Sequence, residues 1–511
     1  MNKKPAYSRN VTEQEWAWTF LGLAVLFGSF VRILPGLLTG FPINDGGMFA
    51  VMMRDLRTSS FILPSFTSYN FSEIPFAYPP LGFYIGAFFE LIGLSEIHVL
   101  IWLPMAFTVA TIPAFYLLAN ELMENRPRAA LAAVFFALAP GSYIWLLMGG
   151  GLTRSLGMLF LLLAFKFVHK AFRKPAWRST FLAAFFCSLT VLSHPQSALL
   201  LVIGCAVFWL FFGRTRMGTL HAAFIVSGAL LLSSPWWGTV IARHGVEVFL
   251  SAGQSGELRA SLSALLGNLF SRQTILPFSS IFWLLGLGWV FYKRRFDLLM
   301  WGFLPYLIDQ RSASIMTSFL YPILAAYGFL DVLPAFINFV RLRKWVIQPD
   351  AVLFNIHAFS MGLLGITFYL FIECVFHAQI IRTISLTSES IDMMVWVREN
   401  TPAESSFLIL TGHDDVMTDP VQEWFPALAA HHSATTLQGL EWTLKGDFNL
   451  RWAQLAALQS CEELSCVDTW ARTMNLTFDR IILDGTKFPT EIFVFAGYEI
   501  VFDNGRYVVL K

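Results

Sequence analysis

The chain has 511 residues, 56% of them apolar and only 14% charged, with a mean hydropathy of +0.59. A soluble domain carries about 25% charged residues, so the composition excludes an ordinary soluble enzyme and indicates a polytopic membrane protein. The net charge of +1 hides a division: residues 1–380 hold 26 Lys/Arg and 16 Asp/Glu, whereas residues 381–511 hold 9 and 18.

Lys3, Lys4 and Arg9 precede an apolar stretch, Trp16 to Leu38. No small-x-small cleavage site follows and the stretch is long enough to span, so it reads as a retained first helix and not as a signal peptide. Further apolar stretches lie at 97–120, 129–148, 154–169, 179–193, 196–212, 219–241, 273–292, 297–309, 315–340 and 351–378. The run Leu81 to Leu94 is short for a crossing. If it lies along the interface and the amino terminus is cytoplasmic, every strongly basic loop falls on the cytoplasmic side; if it crosses, the later loops all invert. The expected architecture is therefore an α-helical polytopic membrane domain over 1–380 with about eleven spans and a first external loop at 39–96. An extracytoplasmic soluble α/β domain follows over 381–511.

The first external loop holds Phe41-Pro42-Ile43-Asn44-Asp45-Gly46-Gly47, then Tyr78-Pro79-Pro80-Leu81. Asp45 comes directly after the first span, and its glycine neighbours permit close backbone approach, so it is the foremost general-base candidate. Asp55 sits on a short helix between Arg54 and Arg57 and reads as an ion-pair member with an accessory role as the alternative. Arg32, Arg54, Arg57, Arg154, Arg243, Arg259, Arg272 and Arg311 are the basic residues left on or near the outer side, and none is lysine. A guanidinium fork matches phosphate oxygens in pairs, although arginines also snorkel at interfaces. His194, in Ser193-His194-Pro195, is either a helix cap or a site residue. The loop 242–272 carries Glu257 beside a Gly/Ser-rich stretch and is either a substrate-ordered lid or a passive connection. There is no His-x-x-x-His, Cys-x-x-Cys or Walker pattern, and nothing points to nucleic acid.

In the tail, Ser406–Leu410 and Arg480–Leu483 read as strands, and Val421–Ala430, 450–460 and 465–474 as helices. Tyr498–Phe502 and Arg506–Leu510 read as a hairpin about Asn504-Gly505. Glu423-Trp424-Phe425-Pro426 and Gln438-Gly439-Leu440-Glu441-Trp442 are aromatic-acid clusters, which can bind sugars but more often serve packing or docking on the membrane part. Cys461 and Cys466 either pair or remain free thiols; Cys187, Cys205 and Cys374 lie in apolar stretches.

Together these residues resemble the GT-C superfamily of membrane glycosyltransferases, which includes protein mannosyltransferases, aminoarabinose transferases and oligosaccharyltransferase subunits. The resemblance rests on Asn44-Asp45-Gly46-Gly47 after helix 1, the Pro79-Pro80-Leu81 interfacial segment, the alternating basic loops and the external tail, whose Glu-Trp-Phe-Pro phrase looks like that of prokaryotic members. It implies a plasma-membrane enzyme that takes a sugar from a polyprenyl-phosphate or -diphosphate donor and passes it, with inversion, to a protein, lipid or glycan acceptor at the outer face. Such an enzyme is a hexosyltransferase-like glycosyltransferase. The resemblance makes Asp45 the general base and sets Arg311 at the donor phosphate; by position alone, Arg154 and His194 are further candidates for the donor phosphate, and Asp55, Glu257 and Tyr78 are possible accessory residues. The loop Gly149-Gly150-Gly151-Leu152-Thr153-Arg154 lacks the second acid that several members carry, so no cofactor is implied and a tightly held divalent cation does not suit one acid alone. A non-catalytic binder of lipid-linked saccharide, or a flippase, is the alternative.

Overall fold

A computed structural model describes residues 12–255, 278–342 and 356–511. The first helix, α1 (Glu13–Thr39), opens with a capping box between Thr12 and Glu15 and closes on Gly40 in the left-handed region. There follow α2 (Gly47–Thr58), α3 (Leu81–Leu91), α4 (Glu96–Met123), α5 (Arg126–Ala137), α6 (Ile144–Leu147), α7 (Gly151–Arg173), α8 (Trp177–Ser193), α9 (Pro195–Phe212), α10 (Arg216–His244) and α11 (Glu247–Gln254). Ser95, Asn125 and Thr215 cap α4, α5 and α10 by accepting an amide hydrogen three residues on, the ordinary N-cap geometry. Helices Phe278–Tyr292, Phe296–Phe303, Pro305–Ile308, Gln310–Tyr327, Leu333–Leu342 and Ile356–Arg382 complete the bundle.

The chain is a multi-pass membrane protein. Among the described residues seven helices are long and apolar enough to span: Glu13–Thr39, Glu96–Met123, Gly151–Arg173, Pro195–Phe212, Arg216–His244, Ser312–Ile337 and Met361–Arg382. This corrects the expected count of about eleven. The other four stretches fold as shorter or interrupted helices: α5 (12 residues) followed by α6, α8 (17 residues), Phe278–Tyr292, which begins at the edge of the described residues, and Phe296–Phe303 followed by Pro305–Ile308. α5 and α6 with the turn between them lead back from the end of α4 to the start of α7, and α8 leads back from the end of α7 to the start of α9. Apolar runs continue through the turns before Pro140 and Pro305, so composition alone overstates helix length. The eleven residues of α3 rise about 16 Å, too little to cross.

Arg32 also departs from expectation. It is fully buried on α1, with Nη1 donating to the carbonyls of Gly28 (3.1 Å) and Ala137 and Nη2 to Ser142 Oγ (3.3 Å). Its guanidinium lies 4.5 Å from the Tyr143 ring centroid. The turn after α5 leaves carbonyls without helical partners, and Arg32 satisfies one of them; it is a strut of the bundle and not an outer-face phosphate contact.

Strands β1 (Phe66–Thr67) and β2 (Ile74–Pro75) form a small antiparallel pair in the first loop. The tail forms a five-stranded sheet from β3 (Ser406–Leu410), β4 (His432–Ser433), β5 (Arg480–Asp484), β6 (Ile500–Asp503) and β7 (Tyr507–Leu510), in the order β4-β3-β5-β7-β6. β3 runs parallel to β4 and β5, while β7 is antiparallel to β5 and β6. Phe407 to Leu410 are wholly buried, as expected of a strand covered on both faces. The α/β domain is not held by its tether alone: Met53, Phe83 and Leu152 share one continuous core with Phe407, Trp424 and Tyr507. It docks where α1, α8 and α10 finish and α4, α7 and α9 start.

Cys461 and Cys466 are joined by a disulfide, which resolves the open alternative. Closing so short a loop removes about 2 kcal/mol of unfolded-state entropy. Cys466→Ser is expected to lower the thermal midpoint of the full chain in non-reducing detergent, and an unchanged midpoint counts against this contribution.

Candidate active site

The site is built where two glycine-rich turns cross. Asn44 takes a left-handed conformation (φ 57°), which its short polar side chain tolerates, and its amide donates to the Thr418 carbonyl at 2.7 Å. Ile43 forms a parallel bridge with Met148, and the Gly149 amide donates to the Ile43 carbonyl at 2.9 Å. A Cβ on Gly149 would lie 1.7 Å from the Asp45 carbonyl oxygen, so this crossing admits only glycine.

That contact puts Asp45 at the start of α7. Its Oδ1 accepts the Gly150 amide hydrogen at 3.1 Å and its Oδ2 pairs with Arg154 Nη2. The Asp45 side chain is 27% exposed and that of Arg154 only 7%, so the cation is the more deeply held partner and the carboxylate remains partly accessible. Arg154 also donates to the Trp145 carbonyl at 3.2 Å and lies 4.6 Å from the Trp145 ring centroid. Each carboxylate oxygen can accept two hydrogens, so both of Asp45's retain a lone pair for a further donor.

Tyr78 and His194 complete the group. Thr153 Oγ1 donates to the Tyr78 hydroxyl at 3.4 Å, and the Tyr78 ring packs edge-on to Phe49 and Trp442. Burial, more than any neighbour, pushes the Tyr78 phenol up to about 12, so it remains protonated. His194 lies within 6.5 Å of Tyr78 and 5.9 Å of Trp145, ring to ring. Its Nδ1 caps α9 by accepting the Ser197 amide hydrogen at 3.3 Å. Burial first, and the Arg154 charge second, pull it down to about 3. His194 is therefore neutral and carries its proton on Nε2, which makes it a donor without charge.

The other anticipated residues are not brought to this place. The Asp55 carboxylate, about 12 Å of helical rise from the start of α2, accepts from Thr67 Oγ1 (2.6 Å), Ser68 N (2.8 Å) and Ser68 Oγ (2.6 Å) and fastens the β1 turn. Arg54 pairs with Glu96, Arg57 with Glu90, and Arg243 donates to the Leu63 carbonyl. Arg311 belongs to Gln310–Tyr327, but its side chain is outside the described residues, as are Glu257, Arg259 and Arg272.

Glu423 was not among the anticipated site residues. Its carboxylate accepts the Gly46 amide hydrogen at 3.0 and 2.8 Å and the Met48 amide hydrogen at 3.4 Å, at the open end of α2. Trp424 Nε1 donates to the Asn44 carbonyl at 2.8 Å, and the Tyr69 hydroxyl to the Glu423 carbonyl at 2.6 Å. The aromatic-acid phrase at 423–426 was the available signal; it indicated docking but not where.

Amide hydrogens occupy the Glu423 carboxylate, and the Arg154 guanidinium already balances Asp45. Among the described residues no group of three or more His, Cys, Asp or Glu could hold a metal.

Trp424 is fully buried, and truncating so large a core side chain costs about 3–5 kcal/mol. Trp424→Ala is expected to lose stability on that scale in denaturation of the full chain; a loss below about 1 kcal/mol contradicts the docking. Glu423 gives a pH signature. Burial, then the nearby Asp45, raises its carboxyl from 4.5 to about 8 against the lowering effects of the Gly46 and Met48 amides and of Arg154. The folded state therefore holds this proton more tightly than the unfolded chain. The stabilisation is full below 4.5 and is lost as the pH rises through about 8. Relative to Glu423→Gln, the wild-type thermal midpoint is expected to fall over that window, and a difference independent of pH refutes it.

A family model described as dolichyl-phosphate-mannose-protein mannosyltransferase matches residues 77–238, roughly a third of the chain. No protein of curated function matches the sequence. Among solved structures, ArnT from Cupriavidus metallidurans bound to undecaprenyl phosphate is similar at a TM-score of 0.58 and 14% identity, covering 98% of each chain. The same protein in the apo state gives 0.56 and 14%, covering 97% of this chain and 98% of that one. At this identity the likeness is one of fold, and it extends over nearly the entire chain, membrane bundle and α/β domain together.

Proposed function

We propose that the protein is an inverting glycosyltransferase that moves a sugar from a polyprenyl-phosphate or -diphosphate donor to an acceptor hydroxyl at the outer face of the membrane. In this reading residues 1–380 bind the donor, the amino terminus is cytoplasmic and residues 381–511 are extracytoplasmic. The observation that carries the proposal is the Asp45–Arg154 pair: a half-open carboxylate held rigidly by a buried cation, at the end of a lipid-embedded bundle. The full-length likeness to a protein solved with undecaprenyl phosphate supports the donor class.

Asp45 takes the proton of an acceptor hydroxyl, whose oxygen attacks the anomeric carbon from the face opposite the phosphate. The bond from that carbon to the phosphate oxygen breaks, and the phosphate leaves with the electron pair. A guanidinium held by its neighbours stabilises charge that grows on the leaving group without reorganising, which is the role of Arg154 in this reading, and Arg311 is the second arginine assigned to the donor phosphate. The neutral His194 supplies an Nε2 hydrogen to a phosphate oxygen, and Tyr78 forms a buried wall of the pocket. Asp55 and Glu257 have no step in this mechanism.

Asp45→Asn keeps the side chain's size and loses the base. Membranes supplied with labelled undecaprenyl-phosphate-linked hexoses are expected to show transfer by wild type and at least a 10²-fold loss in Asp45→Asn, with undecaprenyl phosphate still bound. Full transfer by the variant removes Asp45 from the role of base. The engagement of Asp45 by Arg154 and Gly150 favours one other reading, a binding protein for lipid-linked saccharide; donor binding without transfer by wild type identifies it.

A further inference from the structure

α2 begins without a cap of its own. No side chain at Gly46 accepts an amide hydrogen, and the first turn contains no acid. The amides of Gly46 and Met48 are instead satisfied from 377 and 375 residues away, by the Glu423 carboxylate. A carboxyl group suits a helix N-terminus, where unpaired amides need an acceptor, and its carbonyl oxygen accepts even when the group is protonated. The Asp45 peptide is thereby fixed on both flanks: the Trp424 indole holds the Asn44 carbonyl before it, and Glu423 holds the Gly46 amide after it. The Tyr69 hydroxyl ties the Glu423 backbone down in turn. Asp45's side chain then has little freedom beyond its pair with Arg154.

We propose that Glu423 is a positioning residue, and that docking of Glu423-Trp424 onto the start of α2 sets the place and orientation of the Asp45 carboxylate. The α/β domain is then a working part of the site, not an appendage. This rests on the reading of Asp45 as the base. A displacement of about 1 Å at such a group costs on the order of 10²-fold in rate. The work of Glu423 is to accept amide hydrogens, which a glutamine carbonyl oxygen also does.

A steric test exists beside the polar one. A Cβ on Gly47 would lie 2.5 Å from the Glu423 carbonyl oxygen and 3.0 Å from Trp424 Cα, both backbone atoms. Alanine is otherwise the better helix former, so Gly47→Ala separates the domain from the turn without removing any polar group.

The experiment uses the full chain in nanodiscs, with undecaprenyl-phosphate-linked hexoses as donor. It measures kcat, donor KM and amide exchange over residues 42–48. Glu423→Ala and Gly47→Ala are expected to lower kcat about 10–100-fold with donor KM within about twofold, and to speed exchange. Glu423→Gln is expected to restore most of the rate and the slow exchange. Exchange in Glu423→Ala as slow as in wild type overturns the proposal, as does fast exchange with an unchanged kcat. Equal losses in the Ala and Gln variants also overturn it, because they show that the ability to accept amide hydrogens is not what matters. If wild type transfers no hexose, the glycosyltransferase reading fails on that arm. Fast exchange in Glu423→Ala and slow exchange in Glu423→Gln then still support the anchoring of the turn.

Discussion

The start of α2 is the constraint on which the site depends. A helix that opens Gly-Gly-Met has amides to satisfy and nothing local to satisfy them, and here the acceptor comes from the far end of the sequence. One carboxylate therefore does three things: it caps a helix, closes the interface between the bundle and the α/β domain, and fixes the backbone next to Asp45. The close approach that allows this comes from glycine. At Gly149 and at Gly47 a single added carbon would meet backbone atoms of the opposite turn.

Charge is arranged sparingly around that crossing. Asp45 is partly exposed with Arg154 buried beside it, while Glu423 is buried, which favours its protonated form. Two carboxylates so placed differ in kind: one is balanced by a cation and open, the other is dry and engaged by amides. Their division of labour follows from solvent access more than from sequence position. His194 and Tyr78, both buried and both uncharged, line the same space without adding to its charge.

Much of this was legible in the sequence. The strands Ser406–Leu410 and Arg480–Asp484 and the hairpin about Asn504-Gly505 follow from short apolar runs bounded by turn residues, and they form nearly as read. Asp45 and Arg154 stand out by position at the ends of apolar helices, although an arginine there also has the ordinary use of snorkelling. Their pairing was not legible, because residues 45 and 154 meet only through the Gly149 crossing. Fewer single helices than expected reach the length of a span because apolar composition continues through turns, and only the backbone shows that α5 stops at Ala137. Arg32 misled in the same way, since an arginine that satisfies buried carbonyls looks in sequence like one that snorkels. Glu423 lay furthest from reach, its partners more than 370 residues away.

The central claim, that the α/β domain holds the Asp45 turn in its working position through the contact at α2, is tested most directly by a double-mutant cycle on kcat. Gly47→Ala and Glu423→Ala break one contact from its two sides, so the account predicts that the double variant loses no more than the worse single variant, a coupling of about 1.5–3 kcal/mol. Losses that simply add would show two independent effects and contradict the account.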